Sequence, residues 1–440
     1  MTIFKKFLSI PGVTLLALLL AVPAFAANVP VSLVAEAVTA TMPDGASVPM
    51  WGLRDSVANP TANTASIPGP TIRAVAGDSL IITLTSTLPE PTSLVINGQT
   101  AVETDAMVPT WTDGSTGPRP GGNYTMRVRS FTHETTAADT GGIVYQWDNL
   151  RPGTYLIESG SHQAVQIPMG LYAVLVVDEV ANAQAYPDAS TAYTNDAVLV
   201  FSEVDPVLNA AVDAGTYGTP AYTTSMGEGY LPRYFLINGS SYATGSAVPV
   251  DLGVSSGSKL LRFVNAGSRT RNPVLQGPYM TLIAEDGFPS PYPLQQYAIY
   301  LPAGKTIDAQ FTPAAEGTLA LYDRSLGLTN DMTSPGGMVA SLQVGPVVPA
   351  AMVSPADTST LAGASQTFTW TDVSASNYVL HFGTTPGGSD IIVIYPTPST
   401  ATSTTVGGLP VDGSTVYVRL WSEIGGVWYS NDYTYTAFGP

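Results

Sequence analysis

Short runs rich in Val, Ile, Thr and Tyr recur along this chain, and proline or glycine breaks each one before a helical period develops. The 36 prolines and 42 glycines set a turn spacing that predicts strands, and therefore β-sandwiches or barrels. Residues 79–85 alternate polar and apolar positions after a Gly77-Asp78 turn, the pattern of a strand with one wet face. Residues 71–75, which follow the stiff Pro68-Gly69-Pro70, read as another strand, as do residues 124–129 and 153–157. Residues 171–177 are apolar almost without interruption, which predicts a strand covered on both faces. The strand runs fall into three blocks, at residues 28–180, 195–344 and 356–440, with a linker over 345–355. The turn and strand at 77–84 are echoed at 257–264, as tandem domains of one fold would show.

The first residues read as a secretory signal. Lys5 and Lys6 precede an apolar core over 13–22, and Ala24-Phe25-Ala26 forms a small-x-small cleavage site. The chain is therefore expected to be exported, to the cell surface, the extracellular space or the periplasm. The core is too short for a membrane span, and no other stretch approaches the needed length. With Lys5 and Lys6 removed, 14 basic residues stand against 33 acidic ones. That balance argues against nucleic acid and anionic membrane partners. There is no cysteine, so neither disulfides nor thiolate chemistry are available, and a chain of 440 residues can bury adequate cores without them. The only lysines past the signal are Lys259 and Lys305. Lysine is a common guard of strand edges, so its scarcity predicts edges open to pairing and a chain that could self-assemble.

Several ordered motifs resemble the multicopper oxidases. IPGPTIRAVAGDSLIITLTSTLPEPTS (67–93), the MVPTWTDG run (107–114), PGGNY (120–124), GTYLIESGSH (153–162) and MGLYAVLVVDE (169–179) follow the wording and order of that family's N-terminal cupredoxin domain. FLING (235–239), LLRFVNAGS (260–268), MTLIAEDG (280–287) and LPAGKTIDAQF (301–311) do the same for its middle domain. The resemblance implies two tandem cupredoxin-like Greek-key β-sandwiches and, in the family, bound copper. It also places the copper-ligand histidines of two His-x-His motifs at Val95 and Asn97, and at Glu158 and Gly160, where none is histidine. The family's third cupredoxin domain, which carries the copper-binding cysteine, is expected to be missing from this sequence. A blue-copper site needs a thiolate, and an oxygen-reducing cluster needs on the order of eight to ten imidazoles. The chain offers no cysteine and only His133, His162 and His381. No copper or other cofactor is expected, and no catalytic residue is assigned.

Glu158 and His162 are what remains for a metal or acid–base site, but Gly160 and Ser161 should end the strand between them, and no third ligand is evident. They read as a surface pair. His133 and Glu134 lie in a Thr-rich stretch over 130–142 that reads as a surface loop, and His381 reads as packing or edge decoration on a strand over 378–382. No nucleophile elbow, phosphate loop or zinc-protease motif appears. The last block resembles a fibronectin type III-like sandwich, with Trp370 on an early strand and Tyr417 in the place of a tyrosine corner after Leu409. Val416, Val418 and Leu420 share one face there, and Tyr417, Arg419 and Trp421 the other.

The expectation is an exported, non-catalytic structural or interaction protein with a protein or glycan partner at the cell surface. One alternative is a metal-dependent oxidoreductase of unorthodox type, using His162 with Glu158 or with His133 of a second copy. Another is a glycan- or small-ligand-binding protein that uses the former active-site cleft or the aromatic residues of the last block.

Overall fold

The computed structural model describes residues 26–58, 64–102, 130–217, 229–243, 247–331, 333–346, 348–373, 375, 377–424 and 427–439. The expected signal segment, the MVPTWTDG and PGGNY motifs and the strand expected over 124–129 lie outside the described residues. What is described is almost wholly β. Helix is confined to α1 (Gln163–Met169), α2 (Pro206–Asp213) and one 3-10 turn. No helix among the described residues is long and apolar enough to cross a membrane.

The first sandwich uses β1 (Asn28–Thr41), β2 (Ser47–Asp55), β3 (Thr71–Val75), β4 (Ser79–Ser86), β5 (Leu94–Ile96), β6 (Ile143–Trp147), β7 (Gly153–Ser159) and β8 (Tyr172–Asp178). They form two four-stranded sheets, ordered β2-β1-β4-β6 and β3-β8-β7-β5. The alternation in β4 sends Leu80, Ile82 and Leu84 into the core between the sheets and leaves the intervening residues half-buried. Every residue of β8 is buried, as its unbroken apolar run predicts. One face meets the first core, and Tyr172, Val174 and Val176 on the other pack against Val200, Val264 and Ala266. Sheet β3-β8-β7-β5 is thus the shared wall between two sandwiches.

The second sandwich uses β9 (Asn195–Val204), β10 (Tyr234–Ile237), β11 (Val248–Val254), β12 (Lys259–Asn265), β13 (Pro273–Leu275), β14 (Met280–Glu285), β15 (Phe288–Gln296), β16 (Thr306–Phe311), β17 (Gly317–Asp323) and β18 (Val339–Gly345). A six-stranded sheet, β10-β9-β12-β16-β14-β15, faces a four-stranded one, β11-β18-β17-β13. Between β9 and β10 the chain returns to the first sandwich. Asp205 caps α2 by accepting from the amides of Val207 and Leu208 at 3.0 and 3.2 Å, Pro206 opens the helix, and Leu208 enters the first core.

Polar groups tie the two sandwiches together at depth. Arg262 of β12 is fully buried, donating from Nη2 to Asp178 at 2.5 Å and from Nε to Asp196 at 2.7 Å. Asp308 of β16 lies 3.9 Å from its Nη1 and accepts from Thr154 Oγ1 at 2.6 Å and Tyr186 Oη at 2.5 Å. Arg73 of β3 adds a second cation, with both its terminal nitrogens 3.0 Å from Asp196. Burial pushes the Asp308 carboxyl above the ordinary value of 3.8, outweighing the pull of Arg262. At Asp196 burial also raises, but Arg262 and Arg73 prevail and the carboxyl sits below that value.

The third block forms β19 (Met352–Ser354), β20 (Ser365–Trp370), β21 (Asn377–Gly383), β22 (Ile392–Ile394), β23 (Ser403–Gly407), β24 (Thr415–Ile424) and β25 (Val427–Thr436). Three strands, β19-β20-β23, make one sheet, and β22-β21-β24-β25 make the other. Val416, Val418 and Leu420 are buried, so the apolar face of β24 is the core face. Tyr417, Arg419 and Trp421 lie on the opposite face, as the alternation along the strand predicts. Val416 takes the inward position, and it is Tyr435 of β25 that reaches a backbone carbonyl, Pro355 O, at 3.1 Å.

Lys259 is fully buried: its ammonium donates to Thr194 Oγ1, Asn195 Oδ1 and Ser256 O at 2.7, 3.0 and 2.9 Å, and burial lowers its pKa to about 8. The expectation of undefended strand edges is corrected at the open edge of the six-stranded sheet. Its strand, β15, carries Pro289, Pro291 and Pro293, which have no N–H to offer another strand.

If Arg262 holds the two sandwiches together, Arg262→Met strands the buried carboxyls of Asp178 and Asp308, while Asp196 keeps Arg73. Denaturant unfolding of the whole chain should then show a loss of about 3–5 kcal/mol. A loss below about 1 kcal/mol would show that the apolar contacts suffice without it.

Candidate functional site

Antiparallel pairing of β5 with β7 sets Val95 opposite Glu158, with Leu94 opposite Ser159 and Ile96 opposite Ile157. Leu94 and Ile96 point into the first core, so Val95 and Asn97 share the other face with Glu158. The strand ends at Ser159, as Gly160 and Ser161 predicted, and the chain turns through His162 (φ 39°, ψ 49°) into α1. The four positions where the resemblance placed copper ligands therefore sit on neighbouring strand ends.

What fills this region is a hydroxyl network that the sequence reading did not anticipate. Ser93 Oγ lies 2.7 Å from Ser130 Oγ and 2.9 Å from Ser161 Oγ, and the last two are 3.0 Å apart. All three residues are fully buried. Each hydroxyl has one proton to give and lone pairs to receive, so a closed ring lets each donate once and accept once. Around the ring, Thr132 Oγ1 donates to Leu94 O at 2.9 Å and Ser159 Oγ to Gln166 Oε1 at 2.7 Å. Gln166 Nε2 donates to Pro91 O at 2.8 Å. The stretch opening at Ser130 is therefore no surface loop at its start. Ser130, Thr132 and Thr135 are buried, and bridges from Ser130 to Ser161 and from Thr135 to Thr92 hold it in place.

Copper does not fit these residues. Val95 offers a hydrocarbon, Asn97 a carboxamide, Glu158 a carboxyl, and Gly160 no side chain. At Gly160 there is no room even for a Cβ, which would stand 2.8 Å from Ser93 Oγ and 2.9 Å from Val95 Cγ1. Among the described residues, no three His, Cys, Asp or Glu side chains form a group that could hold a metal ion.

Glu158 and His162 have different partners. Glu158 Oε1 accepts from Asn97 Nδ2 at 3.1 Å and Gln163 Nε2 at 3.5 Å, and burial pushes its pKa up to about 7 against the pull of Asn97. His162 Nδ1 lies 3.1 Å from Glu90 Oε2, and its half-exposed ring meets Tyr217 edge-on with centroids 6.0 Å apart. His133 contributes its carbonyl, which accepts from Tyr145 Oη at 2.5 Å. His381 sits inside its sheet, between β22 and β24, with its ring edge-on to Trp421. It belongs to packing and not to a strand edge.

Glu158 also lines a cleft of about 550 Å³ between the two sandwiches. Leu156, Ile167 and Ala266 give it apolar walls, Gln163 flanks Glu158, and Tyr230 and Arg269 also line it. Arg269 Nη2 donates to Tyr230 O at 3.1 Å. The size and the few polar groups suit a small organic molecule.

Residues 50–182 match the family model described as multicopper oxidase. Among solved structures, the blue copper oxidase from Nitrosomonas europaea is similar at 17% identity and a TM-score of 0.52, over 72% of this chain and 86% of that one. The multicopper oxidase mgLAC is similar at 18% identity and a TM-score of 0.54, over 73% and 88%. The multi-copper oxidase from Pseudomonas thermotolerans is similar at 15% identity and a TM-score of 0.50, over 94% and 100%. These likenesses show a shared cupredoxin-like fold. No curated protein matches the sequence.

Two measurements check the site. Gly160→Ala should cost about 1–3 kcal/mol in denaturant unfolding, because the added methyl meets the serine ring; a neutral substitution would mean that the position is open. The Glu158 carboxyl, raised to about 7 from 4.5, keeps its proton in the folded chain where the unfolded chain has lost it. Its contribution to stability therefore falls as pH rises from about 4.5 to about 7 and stays lost above. Glu158→Gln should raise the melting temperature at pH 8 and leave it unchanged at pH 4. The reverse order would contradict the assignment.

Proposed function

We propose that this chain, whose first sandwich is a multicopper oxidase-type domain, uses that scaffold for contact and not for electron transfer. It is an exported, non-catalytic structural or interaction protein. The observation that carries this reading is the closed serine ring at Ser93, Ser130 and Ser161, with Gly160 packed against it. Imidazole ligands would need that space, whereas at Gly160 the serine ring fills it and its three hydroxyls satisfy one another, and the cleft beside Glu158 opens away from the ring towards the second sandwich. The third sandwich supports the reading as a fibronectin type III-like module, with three strands facing four. Modules of that kind serve as spacers or binding units.

The cleft at Glu158 favours a second reading, in which the chain binds a small ligand where the two sandwiches meet. A carboxyl with a pKa of about 7 and the Arg269 guanidinium would hold opposite ends of such a molecule. A ligand panel read by thermal shift should then give a hit that Glu158→Gln weakens, and a panel without hits would end that reading.

Copper loading tests the principal proposal. Mature protein produced with excess copper should carry less than stoichiometric copper by elemental analysis and should not oxidise phenols. One tightly held copper per chain would overturn it.

A further inference from the structure

The exposed apolar residues of the second sandwich are concentrated on one side of it. Tyr279, Phe288, Tyr292, Leu294, Tyr297 and Tyr300 are each at least half exposed, Tyr292 at 82%. All fall within residues 279–300. Scattered single apolar residues are normal on a surface, but a group this dense marks a contact site.

The backbone fixes how these side chains are shown. Glu285 and Phe288 close a hairpin on Asp286-Gly287, whose φ values of 50° and 71° suit the tight primed turn of paired strands. Lys305 Nζ clamps the tip at 2.9 Å from Asp286 and 3.0 Å from Glu285. Beyond β15 the chain crosses to the edge of the other sheet, where Ile299 N donates to Pro273 O and Leu301 N to Arg271 O, both at 2.9 Å. That crossing buries Ile299 and Leu301 and keeps Tyr297 and Tyr300 outside. Tyr297 also meets the Tyr279 ring edge-on, with centroids 6.4 Å apart. The tyrosines are thus presented by an anchored wall.

The chemistry of this wall narrows the occupant. Pro289, Pro291 and Pro293 deny an added strand its backbone donors, so a partner must be held through side chains. The only charged residues between 279 and 300 are Glu285 and Asp286, both paired with Lys305 at the hairpin tip. The ammonium of Lys305 is already taken up by those two carboxylates and does not offer a polyanion a free charge, and a chain of formal charge −17 repels its own copies. Tyrosine combines an apolar ring with a hydroxyl and contributes rigid contact area. The matching ligand has flat apolar faces rimmed by uncharged hydroxyls, as the pyranose rings of a neutral polysaccharide have.

We propose that the side of the second sandwich carrying Tyr279, Tyr292, Tyr297 and Tyr300 binds a neutral polysaccharide. This rests on the reading of the chain as a contact protein and names the class of its partner. The test is native electrophoresis of the full mature chain through gels containing a soluble β-glucan, a galactomannan, a xylan or a soluble starch. At least one polysaccharide should retard the protein. The triple variant Tyr292→Ala, Tyr297→Ala, Tyr300→Ala should bind about tenfold or more weakly, with an unchanged circular dichroism spectrum and melting temperature, since all three side chains are exposed. Glu158→Gln should be retarded as strongly as the native chain, which separates this wall from the cleft. No retardation in any gel, or equal retardation of the triple variant, would overturn the proposal. So would sedimentation showing self-association that the triple variant loses, because the wall would then hold a second copy. The readout involves neither copper nor oxidation, so its failure is distinct from failure of the contact-protein reading.

Discussion

A fully buried arginine is the constraint on which the arrangement of the two sandwiches depends. Arg262 sits in a strand with no exposed residue, and its guanidinium can be kept there only by carboxylates brought from elsewhere. Asp178 comes from the first sandwich, while Asp196 and Asp308 come from strands flanking Arg262 in the second. Correct pairing therefore requires both sandwiches in register, with sheet β3-β8-β7-β5 laid flat on β9-β12-β16. Apolar contacts such as those of Val174, Val200 and Val264 would tolerate sliding, and the charge network does not. The cleft at Glu158 depends on that register, since its walls come from both sandwiches.

Much of the fold was legible in the sequence because it rests on local patterns. The alternation of residues 79–85 and the unbroken apolar run of 171–177 appear as β4 and β8, with the burial each pattern implies. On β24 alternation separated two faces in the sequence, and burial of Val416, Val418 and Leu420 makes the apolar one the core and turns Tyr417 outward. Arg262 offered a signal that went unused: a charged residue within the apolar run LLRFVN needs buried partners wherever the strand is covered on both faces.

The candidate site was legible as a loss, but its replacement was not. Sequence showed that the positions at Val95, Asn97, Glu158 and Gly160 lack imidazole. It could not show that Ser93, Ser130 and Ser161, separated by 37 and 31 residues, close into one ring, because that contact is made by folding. Nor could the Thr-rich composition of residues 130–142 reveal that Ser130, Thr132 and Thr135 face inward. At Ser130 and Thr132 the hydroxyls become interior because each finds a partner there, at the ring and at Leu94 O.

The central claim is that the serine ring closes the former ligand region at Gly160 and that the side chains left there cannot hold copper. Diffraction at the copper absorption edge, from crystals of the mature chain soaked in a copper(II) salt, tests it most directly. The account predicts continuous density for the three serine hydroxyls in contact and no anomalous peak beside Val95, Asn97, Glu158 or Gly160. An anomalous peak there, coordinated by Glu158 or His162, would contradict it.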